Sequence, residues 1–493
     1  MSLEVSETAL KGISRSDFFG TRIGKWFSTV ILFSLDYVAI VAALLTVFFL
    51  WDTVVRWFMP AAPLVLPEQL VYIVVPFIYL LLLIYSGMYH KRLPVDQCAE
   101  AIFKIVIFST MVIAGILFFT KKEIPISHAF ILFNGVFAFV YLVLLRYFAK
   151  RFLIRLGLWQ KPVVLVGAGK TAEILAENFA QEPQLGYQIV GLIEDHGRER
   201  PLVNKYPNIG KFIHAEQAIQ RSGVQDVFIA APGLDRQTML NLIYRIQPYV
   251  RNLTVVPDLF GIPLSNMEVE TLYKDKTVML KIQNNLAKLR NRLLKRLFDM
   301  ALGSMIFVLI LPVLFLLAIL IRAESAGPVL YIAKRLGKGG KEFLCFKFRT
   351  MHPNADSMLA AYFAKYPDAK EEWDKYAKLK GYDPRVTKTG RWLRKYSLDE
   401  LPQVLNVLIG NMSLVGPRPY LPREKERMGY MAPTILETVP GITGLWQVSG
   451  RNEIDFEGRL QMDSWYVRNW SLWQDIVLLI KTIGVVAGKK GAY

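Results

Sequence analysis

Apolar residues run almost unbroken through four stretches in the first third of the chain, at about 26–51, 69–89, 101–120 and 129–148. Each is near the ~20 residues a helix needs to cross the hydrocarbon of a bilayer. Lys11, Arg15, Arg22 and Lys25 precede the first; His90, Lys91 and Arg92 separate the second from the third; Arg146, Lys150, Arg151, Arg155 and Lys161 follow the fourth. The first outer loop carries Asp52, Arg56 and Glu68, with no positive excess, although Lys121 and Lys122 in the third loop weaken the contrast. Because Lys and Arg accumulate on the cytoplasmic side, both ends of a four-helix bundle fall in the cytoplasm. Asp36 interrupts the first run. An intramembrane acid either has a function or faces the bundle interior, and no intramembrane cation answers this one, so the plainer reading is a bundle-facing polar residue.

From Lys161 the texture changes. "KPVVLVGAGKTAEILAENFA" is a β-branched run, a Gly-rich turn and a helical pattern, and "GYQIVGLIED", "VQDVFIAAP" and "NLTVVPD" read as further buried strands. This alternation predicts an open parallel sheet over about 161–270. The turn from Gly167 through Gly169 to Ala172 fits G-x-G-x-x-A, with Glu194 and Asp195 at the end of the next strand. Gly167, Gly169 and Asp195 are therefore candidate nucleotide contacts; the alternative is glycines used only for tight packing.

A fifth apolar run, 300–321, has basic residues on both sides: Arg290, Arg292, Lys295 and Arg296 before it, Arg322, Lys334, Arg335, Lys338 and Lys341 after it. A crossing would place one cluster outside, against the charge rule. Pro312, in mid-run, removes a helical hydrogen bond and kinks the chain. These features favour a re-entrant, hairpin-like helix at about 297–322, entering and leaving on the cytoplasmic face, over a fifth span. Near the end, "WYVRNWSLWQDIVLLIKTI" reads equally as an interfacial amphipathic helix or a core helix.

Composition agrees with a membrane protein: of 493 residues 53% are hydrophobic and 13% aromatic, with mean hydropathy +0.30. A net charge of +18 calls for anionic partners: lipid headgroups, phosphorylated substrates or nucleic acid. The hydrophobicity favours the first two, and no nucleic-acid motif is present. Cys98 and Cys345 match no metal or redox motif, which fits a reducing, cytoplasmic face. The five histidines match no catalytic motif.

The chemistry concentrates in "KYSLDELPQVLNVLIGNMSLVGPRP", 395–419. Pro402 suits a first helical turn, so a helix is expected to start near 398–400, and Asp399 by itself would be an ordinary N-cap. Its surroundings argue for more. Arg335 lies in a Gly-rich basic turn, Lys347 and Arg349 follow an apolar strand, and Arg385, Arg391 and Arg394 lead up to the acidic pair. Arg418 stands between Pro417 and Pro419, and Arg451 follows a glycine. Cations around Asp399 and Glu400 fit a diphosphate site, where a carboxylate attacks phosphorus or holds a divalent metal.

From 291 to 493 the chain resembles the bacterial sugar transferase family, the polyprenyl-phosphate phosphoglycosyl transferases. The motifs are "KRLFD", "RLGKGGKEF", "KFRTM", "DPRVTKTGRWLRKYSLDELPQ", "NVLIGNMSLVGPRP", "PGITGLWQVSGRN" and "DSWYVRNWSLWQD". The segments ahead of them look like the family's large form. The resemblance implies a mixed membrane protein: a transmembrane bundle (1–155), a Rossmann-like α/β domain (156–283) and an α/β catalytic domain with the re-entrant helix (284–493). It implies that Asp399 attacks the β-phosphorus of a UDP-sugar, that UMP leaves, and that undecaprenyl phosphate takes the phosphosugar from the aspartate. It further implies Mg²⁺ at Asp399 and Glu400, Arg418 on the nucleotide, a homodimer, and a place in the bacterial inner membrane at the first step of O-antigen, capsule or exopolysaccharide synthesis. Members usually carry Ser-Pro at the helix break; this chain has Leu311-Pro312. Two rival readings are a nucleotide-sugar oxidoreductase or epimerase built on the Gly167 turn, which lacks the Tyr-x-x-x-Lys spacing, and a non-catalytic export scaffold, which would tolerate loss of Asp399.

Overall fold

A computed structural model describes residues 15–55, 67–119, 127–195, 200–258, 267–272, 277–282, 285–366, 370, 383–450 and 454–487. The chain divides into two compact units, Met1–Phe260 and Gly261–Tyr493.

The first unit opens with α1 (Arg15–Leu50), which widens into a π-helical turn at Trp51–Val55. A second such turn, Leu70–Val74, leads into α2 (Val75–Tyr85); α3 (Val95–Phe119) and α4 (His128–Arg155) follow. Helices α1, α3 and α4, and Leu289–Glu324 of the second unit, are long and apolar enough to cross a membrane, but the second expected span is the shorter Leu70–Tyr85. At 1.5 Å per residue it reaches only ~24 Å, less than the ~30 Å of hydrocarbon. Leu32, Ile40, Tyr79, Ile102 and Leu142 are fully buried between the helices, while Phe49, Ile73, Phe118 and Leu132 face outward.

Asp36 does have a cation. Arg146 of α4, assigned from sequence to the cytoplasmic flank, is fully buried and donates from Nε (2.8 Å) and Nη2 (2.6 Å) to the two oxygens of Asp36. Tyr89 Oη donates to the same carboxylate at 2.7 Å. A paired, hydrogen-bonded charge is what a buried acid requires.

Strands β1 (Lys161–Val166), β2 (Tyr187–Ile193), β3 (Asn208–Gly210), β4 (Asp226–Ile229) and β5 (Asn252–Val255) form a parallel sheet of order β3-β2-β1-β4-β5. Helix α5 (Lys170–Gln181) follows the Gly167 turn, and α6 (Ala215–Ser222) and α7 (Arg236–Ile246) make later crossovers. Val163–Val166 are completely buried, as expected of a central strand covered on both faces. The sheet ends at Val255; β6 (Met267–Leu272) and β7 (Thr277–Ile282) form a separate antiparallel hairpin in the second unit.

In that unit α8 (Leu289–Glu324) is one helix of 36 residues running through Pro312. It is longer than the expected 297–322, and its backbone stays helical at the proline. Gly303 packs against Val407, and Leu317 and Ile321 pack with Phe348 and Leu393. Between these contacts Val308, Leu309, Leu311 and Phe315 are exposed. The helix therefore touches its own domain near both ends and bares an apolar middle. Next come the antiparallel pair β8 (Leu330–Leu336) and β9 (Glu342–Phe348), α9 (Lys388–Lys395) and α10 (Gln403–Ile409). Strand β10 (Ser413–Val415) pairs in parallel with β11 (Gly441–Thr443), and α11 (Leu445–Ser449), α12 (Phe456–Arg468) and α13 (Leu472–Ala487) close the domain. The core joins Cys345, Val407, Val415, Tyr466 and Leu478. Helix α13 thus supplies core residues on one face, with Ile480 and Ile483 exposed on the other.

Candidate active site

Asp399 and Glu400 lie on a 3-10 turn, Leu398–Glu400, between α9 and α10. The helix expected at 398–400 starts instead at Gln403, behind Pro402, and no side chain caps either element. Capping therefore does not account for Asp399. Ser397, just ahead of the turn, has φ 55°, a left-handed conformation shared with no other non-glycine among the described residues. Such strain persists only where the surroundings enforce it. Ser397 N donates to Arg394 O (3.2 Å) and Ser397 O accepts from Glu400 N (3.3 Å), while Asn406 stitches α10 to β9, its Oδ1 accepting from Phe346 N (3.0 Å) and its Nδ2 donating to Leu344 O (2.7 Å). Lys347 of β9 then meets the turn, its Nζ donating to Glu400 Oε1 at 2.6 Å. Burial, and next the charge of Glu400, raise the Asp399 carboxyl above the ordinary range, while Lys347 and Arg394 pull it down.

Beside this turn is a cavity of about 340 Å³ lined by Arg335, Lys347, Glu400, Arg418, Pro419 and Trp446 among others. The tripeptide Pro417-Arg418-Pro419 has a single backbone N–H, that of Arg418, and Asp463 Oδ2 accepts it at 3.2 Å. Pro417 O accepts from Gly441 N at 2.8 Å, and Tyr420 O from Leu336 N at 2.8 Å. The Arg418 guanidinium lies 5.4 Å from the Trp446 ring centre. Asp463 is fully buried, also accepts from Tyr420 Oη at 2.8 Å, and is pushed up to about 7, chiefly by burial. Burial, then the like charge of Arg418, lowers the Arg335 guanidinium, whose Nε is buried without a hydrogen-bond partner among the described residues. Three cations and one carboxylate around one cavity leave positive charge for an anion to neutralise.

Asp399 itself does not line this cavity, although its neighbours Leu398 and Glu400 do, and two other candidates also stand off the lining. Arg349 donates to Ser325 O (2.7 Å), Ser325 Oγ (2.8 Å) and Ala326 O (3.0 Å), so it braces the loop after α8 and does not line the cavity. Arg385 forms a two-point contact with Asp383, at 2.9 and 2.7 Å, again away from the cavity lining. Arg451 falls outside the described residues. Gly167 has φ +100°, and a Cβ there would lie 2.8 Å from Ala230 O, so packing alone requires that glycine; Gly169 has ordinary dihedrals. Glu194 reaches the Gly-rich turn, accepting from Ala168 N at 2.7 Å, while Asp195 accepts from Phe212 N at 2.9 Å. No cluster of three metal-ligating side chains occurs among the described residues. Asp463, Trp446 and Asn406 were not singled out from sequence. Only the single free N–H of Pro-Arg-Pro hinted that an acceptor such as Asp463 was needed.

A profile of the bacterial sugar transferase family matches residues 290–489, the segment that holds this cavity. The undecaprenyl-phosphate galactose phosphotransferase of Salmonella typhimurium is 36% identical over 406 residues, covering 82% of this chain and 84% of that protein. The chain belongs to the bacterial sugar transferase family. Within the family, the exopolysaccharide production protein ExoY of Rhizobium meliloti is 45% identical over 199 residues, 40% of this chain and 88% of its own. The UDP-glucose:undecaprenyl-phosphate glucose-1-phosphate transferase of Escherichia coli is 30% identical over 347 residues, 68% of this chain and 70% of its own. A second profile, described as a CoA-binding domain, matches residues 85–257 of this sugar transferase.

Proposed function

We propose that this sugar transferase moves a hexose 1-phosphate from a UDP-sugar, galactose or glucose, to undecaprenyl phosphate. The observation that carries the reading is a half-buried carboxylate, Asp399, beside a cavity lined by Arg335, Lys347 and Arg418. In the first step an Asp399 oxygen bonds to the β-phosphorus, the bond to the bridging oxygen breaks, and UMP leaves with that electron pair. In the second step a phosphate oxygen of undecaprenyl phosphate attacks the same phosphorus and frees the aspartate. The three cations offset the repulsion between carboxylate and diphosphate, and Arg418, its backbone pinned by Asp463, is pre-set for phosphoryl oxygens.

Mg²⁺ fits this donor set: it takes one or two carboxylates from a protein and completes its shell with phosphate oxygens and water. Glu400, with Asp399, would hold it, and it would supply further neutralisation of the diphosphate. The exposed apolar middle of α8, with both flanks packed on one domain, supports entry and exit on the same membrane face. With the basic flanks, that favours the cytoplasmic face of the inner membrane. A homodimer and a first step in O-antigen, capsule or exopolysaccharide assembly belong to the same reading. The test is to mix purified protein with the UDP-sugar without acceptor and digest it. The expected result is a hexose-phosphate mass increment on the peptide holding Asp399; an increment on any other residue overturns the assignment.

A further inference from the structure

The two ends of α8 are fastened to the two halves of the site. At its start, Lys295 Nζ donates to Val415 O at 2.9 Å and to Asp475 Oδ2 at 2.7 Å, and Asp299 Oδ1 accepts from Leu414 N at 3.0 Å. Tyr466 Oη donates to the same Val415 O at 3.1 Å. Lys295, Asp299, Tyr466 and Asp475 are all buried. These bonds fix β10, and two residues beyond Val415 begins Pro417-Arg418-Pro419. At its end, Glu324 accepts from Lys388 N (2.7 Å) and Thr389 N (2.9 Å) with its two oxygens. Those amides open α9, where a carboxylate is favoured, and α9 runs directly into Ser397 and the Asp399–Glu400 turn. Between these fastenings lies the exposed apolar middle of α8, Val308 to Phe315.

We propose that Lys295 and Glu324 are positioning residues, the first for Arg418 and the second for Asp399, so that the membrane-embedded helix sets the spacing between phosphate-binding arginine and nucleophile. The functional consequence rests on the transferase reading; the mechanical one does not. A lipid environment that changes the curvature of α8 then changes the site. Misplacement by about 1 Å can cost on the order of 100-fold in rate.

The test uses the full chain in phosphatidylcholine vesicles of short, medium and long acyl chains, with wild type, Glu324→Ala, Glu324→Asp and the pair Lys295→Met with Asp475→Asn. The paired change avoids leaving Asp475 as a buried carboxylate without its lysine, Asp299 keeps its bond from Leu414 N, and Glu324, being exposed, can be truncated without opening the core. In hydrogen exchange, Glu324→Ala is expected to deprotect 388–400 and the paired variant 413–420. In kinetics, Glu324→Ala lowers kcat and flattens its dependence on acyl length, Glu324→Asp restores both, and the paired variant mainly raises KM for the UDP-sugar. Unchanged exchange in both segments, or loss of protection throughout 285–487, overturns the proposal. If wild type released no UMP with any donor, the transferase reading would fall, and the exchange pattern would still decide the positioning roles.

Discussion

At the scale of single residues, the site is built from charges held where they are costly. Asp399 stays above the ordinary carboxylate range because it is half-buried and because Glu400 stands beside it. A nucleophilic carboxylate must be ionised, so UMP release falls as pH drops through that raised value. Glu400→Gln removes one of the two raising causes. The acid limb of the pH–rate profile is then expected to move to lower pH on whatever rate remains; a limb that stays put would show that Asp399 does not govern it. Asp463 gives a stability prediction. Its carboxyl is at about 7 in the folded protein against the ordinary 3.8, so the fold binds its proton more tightly than the unfolded chain does. Stability is therefore lost as pH rises from the ordinary carboxylate range through about 7. Asp463→Asn cannot ionise, and thermal unfolding measured on both sides of that pH should show a shallower decline than wild type; parallel curves would contradict the assignment.

At the scale of elements, α8 carries the largest structural consequence. Its flanks are basic, its middle is apolar and exposed, and both packed regions belong to one domain. Leu293→Cys and Ala323→Cys, placed singly at exposed positions, are both expected to react with a membrane-impermeant maleimide from the cytoplasmic side of inverted vesicles. Labelling of the two from opposite sides would make α8 a crossing helix. Hydrophobic periodicity alone does not separate a helix that dips from one that crosses, because the two have the same composition; the expectation rests on the charges of both flanks.

At the scale of the whole molecule, what was legible in the sequence followed from local rules. Long apolar runs, the alternation of strands and helices, and the acid pair with Arg335, Lys347 and Arg418 are all readable within short windows. What was not legible depends on distant partners. Arg146 and Asp36 are 110 positions apart, so the acid looked unanswered and the arginine looked like a flank charge. Arg349 and Arg385 read in the sequence as phosphate ligands, and only the structure shows their carbonyl and carboxylate partners. Asp463 is 45 positions from the turn it pins. The short second helix was overestimated because apolar length in sequence also counts residues outside the helix. The sugar transferase profile matches 290–489, which lies within the second unit, so the chemistry is expected to reside there.

The measurement that bears most directly on the central claim is UMP release by the purified protein, with UDP-galactose and UDP-glucose, Mg²⁺ and undecaprenyl phosphate, comparing wild type with Asp399→Asn. The substitution removes a carboxylate that caps nothing and is costly to bury, so the variant should melt no earlier than wild type at neutral pH. The account predicts release from one donor by wild type and a loss of at least about 1,000-fold in the folded variant, the order expected when a covalent route is removed. Release by a folded Asp399→Asn protein at the wild-type rate would contradict it and place the nucleophile elsewhere.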